Sequence, residues 1–229
     1  MKKPIHSAYA HRRDAARGGE RIKRSLFVIG FAAAVALILT QRQRDATASA
    51  SSFSFGMAQA QDLREQLDAA RGELALANAQ LARAREIFAF SERYRVGAEL
   101  AGSVYDFALA EGIDPELGFR LVKLESDFKE RAVSPVGAVG LAQLMPGTAK
   151  FLDKTITREK LYDRETNLRL GFRYLRGLIR ENKGDVKMAL VVYNRGPGAV
   201  RAALALGLDP RNGYERIVTK GYTGKGVID

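Results

Sequence analysis

Hydrophobic and polar positions divide the chain into stretches of different character. From Ser25 to Thr40 the sequence is uncharged and mostly apolar, with Lys23 and Arg24 before it and Arg42 and Arg44 after it. Sixteen residues fall short of the ~20 that cross a bilayer comfortably and approach the apolar stretch of an export signal. The basic flank on the N-terminal side predicts a cytoplasmic tail and an exported remainder. Two outcomes stay open. Ala46-Thr47-Ala48 and Ala58-Gln59-Ala60 resemble cleavage sites, but they lie far from the run and the basic region before it is long for a signal. A retained anchor is therefore the preferred expectation. Residues 41–57, rich in Ser and Ala, read as a flexible linker.

Helical spacing begins near residue 58. Leu67, Leu74, Leu81 and Phe88 recur every seven residues, with Leu63, Ala70, Ala77 and Ala84 at the complementary positions. The thin Leu/Ala seam fits either a single helix packed on the domain that follows or self-association through residues 58–90. About 33 helical residues at 1.5 Å each would make a rod of roughly 50 Å. Beyond residue 91 the pattern changes to short helices. Asp114-Pro115-Glu116 is a helix start, with a capping Asp, Pro in the first turn and an acid at the positive end of the dipole. Leu117, Leu121 and Leu124 share one face of that helix with Phe119 and Val122 nearby, which brings Glu125 close to the end of a buried segment. The turn-rich stretch Ser134 to Gly140 interrupts the helices, and further helices are expected at about 147–153, 164–181, 185–194 and 197–206. The predicted layout is a basic tail (1–24), an anchor or signal (25–40), a linker (41–57), a long helix or coiled coil (58–91) and a folded domain (92–229). The fold class is α+β, mostly α.

Composition narrows the chemistry. Cysteine is absent, so disulfides, thiol nucleophiles and a lipoprotein anchor are excluded. The two histidines, His6 and His11, lie in the N-terminal tail. The folded domain must therefore work without imidazole, which removes Ser-His-Asp catalysis and HExxH zinc chemistry. A net charge of +11 raises the question of nucleic acid, but residues 1–24 alone hold eight basic and two acidic side chains, a net +6. The rest is spread without a basic stripe or nucleic-acid motif, so no nucleic-acid partner is expected. A mildly basic domain equally suits an anionic polymer.

Proton transfer is left to carboxylate, Lys or Tyr. A carboxyl group at the edge of a buried helix would have its pKa raised by desolvation, which makes Glu125 a candidate general acid. Its surroundings sharpen the reading. Glu125-Ser126 is followed by Phe128, by Ala132-Val133-Ser134-Pro135-Val136-Gly137-Ala138 and by Gly140-Leu141-Ala142-Gln143-Leu144-Met145-Pro146. Thr148-Ala149, Asp163, Asn167, Gly171, Tyr174-Leu175 and Ala189-Leu190 come next, then Tyr193-Asn194-Arg195-Gly196-Pro197-Gly198. Over about residues 100–220 this ordered series resembles the soluble lytic transglycosylase family, whose catalytic domain has a lysozyme-like fold.

The resemblance implies that Glu125 is the single catalytic acid/base. Ser126, Ser134, Gln143, Met145, Tyr193 and Asn194 match substrate-binding positions, with Tyr193 and Asn194 the pair facing the catalytic carboxylate. Tyr193 is expected to hold Glu125 or steady the developing charge, and Tyr214 matches, in looser register, a late tyrosine near the site. Ala142 stands where methionine is common, and Val192 and Arg195 replace small residues around Tyr193-Asn194. The implied partners are peptidoglycan glycan strands and, through the N-terminal run, the inner membrane, with the catalytic domain in the periplasm. No cofactor and no metal are implied. The implied reaction cleaves the β-1,4 bond between N-acetylmuramic acid and N-acetylglucosamine and closes a 1,6-anhydro sugar. Two rival readings are a lysozyme-like hydrolase and a non-catalytic glycan-binding scaffold. The hydrolase would need a second carboxylate, for which Asp127, Glu130, Asp163 and Asp185 are the candidates.

Overall fold

The computed structural model describes residues 10–228, and side chains over residues 30–228. It is mostly helical: α1 (Ala10–Tyr94), α2 (Ala98–Ala110), α3 (Pro115–Ser126), α4 (Pro146–Leu152), a 3₁₀ turn (Glu159–Tyr162), α5 (Arg164–Glu181), α6 (Val186–Arg195), α7 (Pro197–Ala205) and α8 (Tyr214–Val218). The β component reduces to isolated bridges, Val133 with Val139, Val139 with Leu144 and Ile113 with Val227. The turn-rich stretch after α3 is thus an irregular loop with two bridges and no sheet. The chain divides into two compact units, Met1–Leu76 and Ala77–Asp229.

The expected linker at 41–57 is helical and belongs to α1. None of the six prolines lies between residues 10 and 94, and alanine, the best helix former, is frequent there. The hydroxyls that could have competed with the helix turn back onto it. Thr47 donates to the carbonyl of Arg44, Ser51 to that of Ala48 and Ser54 to that of Ser51. The anchor expected over 25–40 is not supported, because among the described residues no helix is long and apolar enough to cross a membrane. Sixteen residues of helix reach about 24 Å, short of the ~30 Å hydrocarbon core. Residues 1–9 of the basic tail lie outside the described residues, as do the side chains of 10–24.

Within Ala77–Asp229 the core begins earlier than residue 92. Ile87 and Phe90 of α1 are buried in it with Leu117, Phe119, Leu121, Leu168, Phe172 and Leu175. Phe90 stacks on Phe119 with ring centroids 4.3 Å apart, and Tyr94 lies 5.2 Å from the same ring. The residues of α1 that face this core, 87, 90 and 94, are spaced by three and four. Of the seven-residue series, Leu67, Leu74, Leu81 and Phe88 stay exposed. Packing on the domain and the heptad seam therefore use different faces of one helix. Helix α5 packs against α2 and α6. A smaller cluster of Val139, Leu144, Ala149, Ile156, Leu161 and Leu170 sits beneath the irregular loop.

Candidate active site around Glu125

Helix α3 starts as its sequence requires. The Asp114 carboxylate accepts from the Glu116 amide at 2.9 Å, and Pro115 occupies the first turn. At 3.6 residues per turn, Glu125 projects between the directions of Leu121 and Gly118, in the middle of the apolar face. Leu121, Val122 and Phe119 on that face are fully buried. Leu124, expected inside, falls at the edge of the buried arc and is 38% exposed. The helix closes at Asp127 and Phe128, two consecutive residues in the left-handed region with φ of 52° and 60°. That conformation is costly without glycine. Burial of Phe128 against Tyr94 and Phe119 holds it in place.

Glu125 is partly buried, and burial pushes its carboxyl pKa up from 4.5 to about 6. One hydrogen bond opposes the shift: the Tyr214 hydroxyl donates to Glu125 Oε1. Tyr193 faces the same carboxyl from α6 but does not bond it. Its hydroxyl donates to the Ala142 carbonyl at 2.7 Å. Burial, with the Glu125 charge adding, drives both phenols well above their usual range, so both stay neutral.

The loop opposite is locked by one buried amide. Asn167 on α5 accepts from the Ala142 amide at 2.7 Å and donates to the carbonyls of Val139 at 2.9 Å and Leu161 at 2.8 Å. This close approach is why position 140 is glycine. A Cβ on Gly140, whose φ is +80°, would lie 2.2 Å from Asn167 Nδ2 and 2.7 Å from the Leu161 carbonyl. Gly171 is required for a similar reason, since its Cβ would come within 2.4 Å of that of Ala142. The fit against Gly171 also explains alanine at position 142, which is fully buried.

A cleft of about 250 Å³ runs along this loop, bordered by Val136, Gln143, Met145, Tyr174, Tyr193, Asn194 and Arg195. Tyr174 and Tyr193 pack ring to ring at 5.3 Å. Met145 is exposed in the cleft, where an apolar face suits the carbon side of a sugar ring. Gln143, at φ 46°, spends its amide nitrogen on the carbonyls of Gly140 at 2.9 Å and Ala132 at 3.2 Å. Asn194 accepts from Asn212 Nδ2 at 2.8 Å, and its own nitrogen remains available. A larger groove of about 600 Å³ lies between the end of α1 and α2, but its main charges, Arg83 and Asp106, are consumed in an ion pair with each other.

Ser126 and Ser134, both expected to bind substrate, each make one side-chain hydrogen bond within the protein. Ser126 is buried and donates to the Val122 carbonyl at 3.2 Å, because its position on α3 points into the core. Ser134 Oγ accepts from the Ala138 amide at 2.9 Å and so closes the Ser134–Ala138 turn. Tyr214, rather than Tyr193, makes the direct contact with the acid. A signal for it existed in the late tyrosine, but 89 residues of chain separate it from Glu125.

The four rival carboxylates are engaged elsewhere. Asp127 pairs with Lys123. Glu130 binds Arg164 at 2.6 Å. Asp163 caps α5 through the Thr166 amide, and Asp185 caps α6 through the Met188 amide. Among the described residues no His, Asp or Glu cluster could hold a metal ion.

Residues 105–207 match the Transglycosylase SLT domain. The chain is similar to the "Soluble lytic murein transglycosylase" of Salmonella typhimurium, 32% identical over 151 residues, covering 55% of this chain and 23% of the relative. It is also similar to a "Transglycosylase" of Enterobacteria phage PRD1, 42% identical over 87 residues, covering 37% of this chain and 30% of the relative. Among solved structures, an inactive mutant of the lytic transglycosylase Slt from Pseudomonas aeruginosa aligns with 30% identity and a TM-score of 0.44, over 51% of this chain and 21% of that one. The chain thus spans less than a third of the length of the curated relatives it matches.

Proposed function

We propose that this chain, which carries a Transglycosylase SLT domain over residues 105–207, is a peptidoglycan lytic transglycosylase with Glu125 as its only acid/base. The observation that carries the reading is a lone carboxyl group, held protonated by burial up to about pH 6 and bonded by one tyrosine. Every candidate for a second catalytic carboxylate is tied into an ion pair or a helix cap. A hydrolase working through two carboxyl groups has no partner for Glu125 here.

The reaction needs only one. Protonated Glu125 gives its proton to the oxygen linking N-acetylmuramic acid to N-acetylglucosamine, and the C1–O bond breaks. The substrate's N-acetyl group meets the charge that develops at C1. Glu125, now a carboxylate stabilised by the Tyr214 hydroxyl, takes the proton of the muramoyl C6 hydroxyl as that oxygen closes onto C1. No water is consumed and the product is a 1,6-anhydro sugar. A pKa near 6 suits a group that must give and then take a proton close to neutral pH. Met145, the Asn194 amide and the free oxygen of Gln143 border the cleft where the sugars would lie. Ser126 and Ser134 support the walls.

We place the catalytic unit in the periplasm, held at the inner membrane by residues 25–40. Exposed Phe31, Leu37, Ile38 and Leu39 between charged flanks offer an apolar face to a membrane surface without spanning it. Self-association through 58–90 is supported by the exposed series Leu67, Leu74, Leu81 and Phe88.

Mass spectrometry of digested cell-wall sacculi tests the function. Products lighter by one water than the hydrolytic ones are expected, and a reducing muramic acid end would make the enzyme a hydrolase. Glu125→Gln should lower turnover by about 10²–10⁴-fold, the usual worth of general acid catalysis.

A further inference from the structure

Tyr214 opens α8, a five-residue helix that starts on Gly213 with no side-chain cap from that position. So short a helix does not hold its own place. The segment before it, 206–213, contains no helix or strand. Two side-chain bonds tie that segment to the end of α6. Arg195 Nη1 donates to the Pro210 carbonyl at 2.6 Å, and Asn212 Nδ2 donates to Asn194 Oδ1 at 2.8 Å. The other end of the Asn212 amide accepts the Tyr214 backbone N–H at 3.2 Å. A path of hydrogen bonds therefore runs from the rigid end of α6, through Asn212, to the residue whose hydroxyl sits on Glu125. Arg195 stands in no ion pair among the described residues, so its guanidinium serves a carbonyl rather than an acid.

We propose that Arg195 and Asn212 are positioning residues that act through Tyr214, holding its hydroxyl on the catalytic carboxyl. The inference rests on the reading of Glu125 as the acid/base and extends it to two residues that do not bond Glu125, one of which, Arg195, also borders the cleft. The physical consequence is specific. The Tyr214 hydroxyl favours the ionised form of Glu125, against the burial that favours the protonated form. The groups facing the carboxyl are Tyr214 from α8 and Tyr193 from α6, and both stay neutral. Loosening Tyr214 removes the one opposing bond, so the pKa of Glu125 rises and acid catalysis persists to higher pH. Turnover falls at the same time, because the carboxylate formed after proton donation loses its donor.

The test is the pH–rate profile of the full-length protein on isolated glycan strands. Arg195→Met and Asn212→Ala should each lower kcat by about tenfold, the scale of a small misplacement of a catalytic group. For Asn212→Ala, whose side chain does not line the cleft, KM should stay within about twofold, as befits loss of an interaction made in the transition state. Both variants should move the alkaline limb to higher pH, the direction set by Tyr214→Phe. Arg195→Lys keeps a donor for the Pro210 carbonyl and should restore most of the loss. Combining Arg195→Met with Tyr214→Phe should be no worse than Tyr214→Phe alone, since both act on one bond. An alkaline limb that does not move in either variant, even with a lowered Tm, would overturn the proposal. So would multiplicative losses in the double variant. Turnover surviving Glu125→Gln is a separate result: it would remove the reading of Glu125 itself, and the positioning role with it.

Discussion

In Ala77–Asp229 the large apolar side chains are inside, with Phe119, Phe172, Leu121 and Leu168 fully covered. In the described part of Met1–Leu76 they are outside, with Phe53, Phe55, Leu63 and Leu74 all well exposed. Both units are rich in helix, so secondary structure does not separate them. What separates them is whether a second element returns to cover the apolar face. In the first unit one helix runs without a return. In the second, short helices broken at Pro115, Pro146 and Pro197 fold back on one another. Helix propensity alone gives length, and a core needs breaks. The unit with breaks also holds the irregular backbone on which the site depends.

The contrast is broken most sharply by cutting the chain at two places. A fragment starting at residue 92 loses Ile87 and Phe90, and thermal unfolding should show it destabilised by roughly 5 kcal/mol or more, or unfolded. A fragment starting at residue 77 keeps both and should melt within ~2 °C of the full chain. Similar melting of the two fragments would mean that the end of α1 contributes nothing to the core. Next in size is Asn167→Ala. It removes the partner of the Ala142 amide, a donor to the Leu161 carbonyl and one of two donors to the Val139 carbonyl, which should cost about 3 kcal/mol or more in denaturant unfolding. Activity should fall with it, since Ala142 also receives Tyr193.

The smallest effect concerns Glu125 and stability. Its pKa in the folded state, about 6, lies above the ordinary 4.5. Below pH 4.5 the carboxyl is protonated whether folded or not, and its burial then carries no charge penalty. As pH rises through 6 the folded protein must hold a desolvated carboxylate, and stability is lost. Glu125→Gln escapes that loss. The variant should be more stable than wild type by about 1 kcal/mol at pH 8, after allowance for partial exposure, and the gap should close by pH 4.5. A gap of the same size at both values would refute the raised pKa. This gain accompanies the largest loss of activity, as expected where function requires a destabilising group in place.

The start of α3 and the bounds of α4 to α7 were legible in the sequence to within a residue or so, because helix starts are local chemistry, whereas α2 and α8 were not read from it. Asp114, Asp163 and Asp185 cap α3, α5 and α6 through amides two or three residues away. Spacing also placed Glu125 at the edge of a buried helix, but its role as acid/base was implied by the resemblance of the ordered motifs around it. Other features depended on contacts between distant residues. The hydroxyl of Ser126 donates to the Val122 carbonyl and that of Ser134 accepts from the Ala138 amide, bonds that spacing does not reveal. Tyr193 was the expected partner of Glu125 and Tyr214 makes the bond instead, because a hydroxyl's direction depends on how α6 and α8 pack beside α3. The start of the core at Ile87 and the helical state of 41–57 were likewise hidden. Composition cannot say which face of a helix meets a neighbour, nor whether a Ser/Ala-rich stretch between two helical segments continues them. Local capping and periodicity act within a few residues and are written in the sequence. The assignment of a side chain to a partner 89 residues away is made only when the helices close around it.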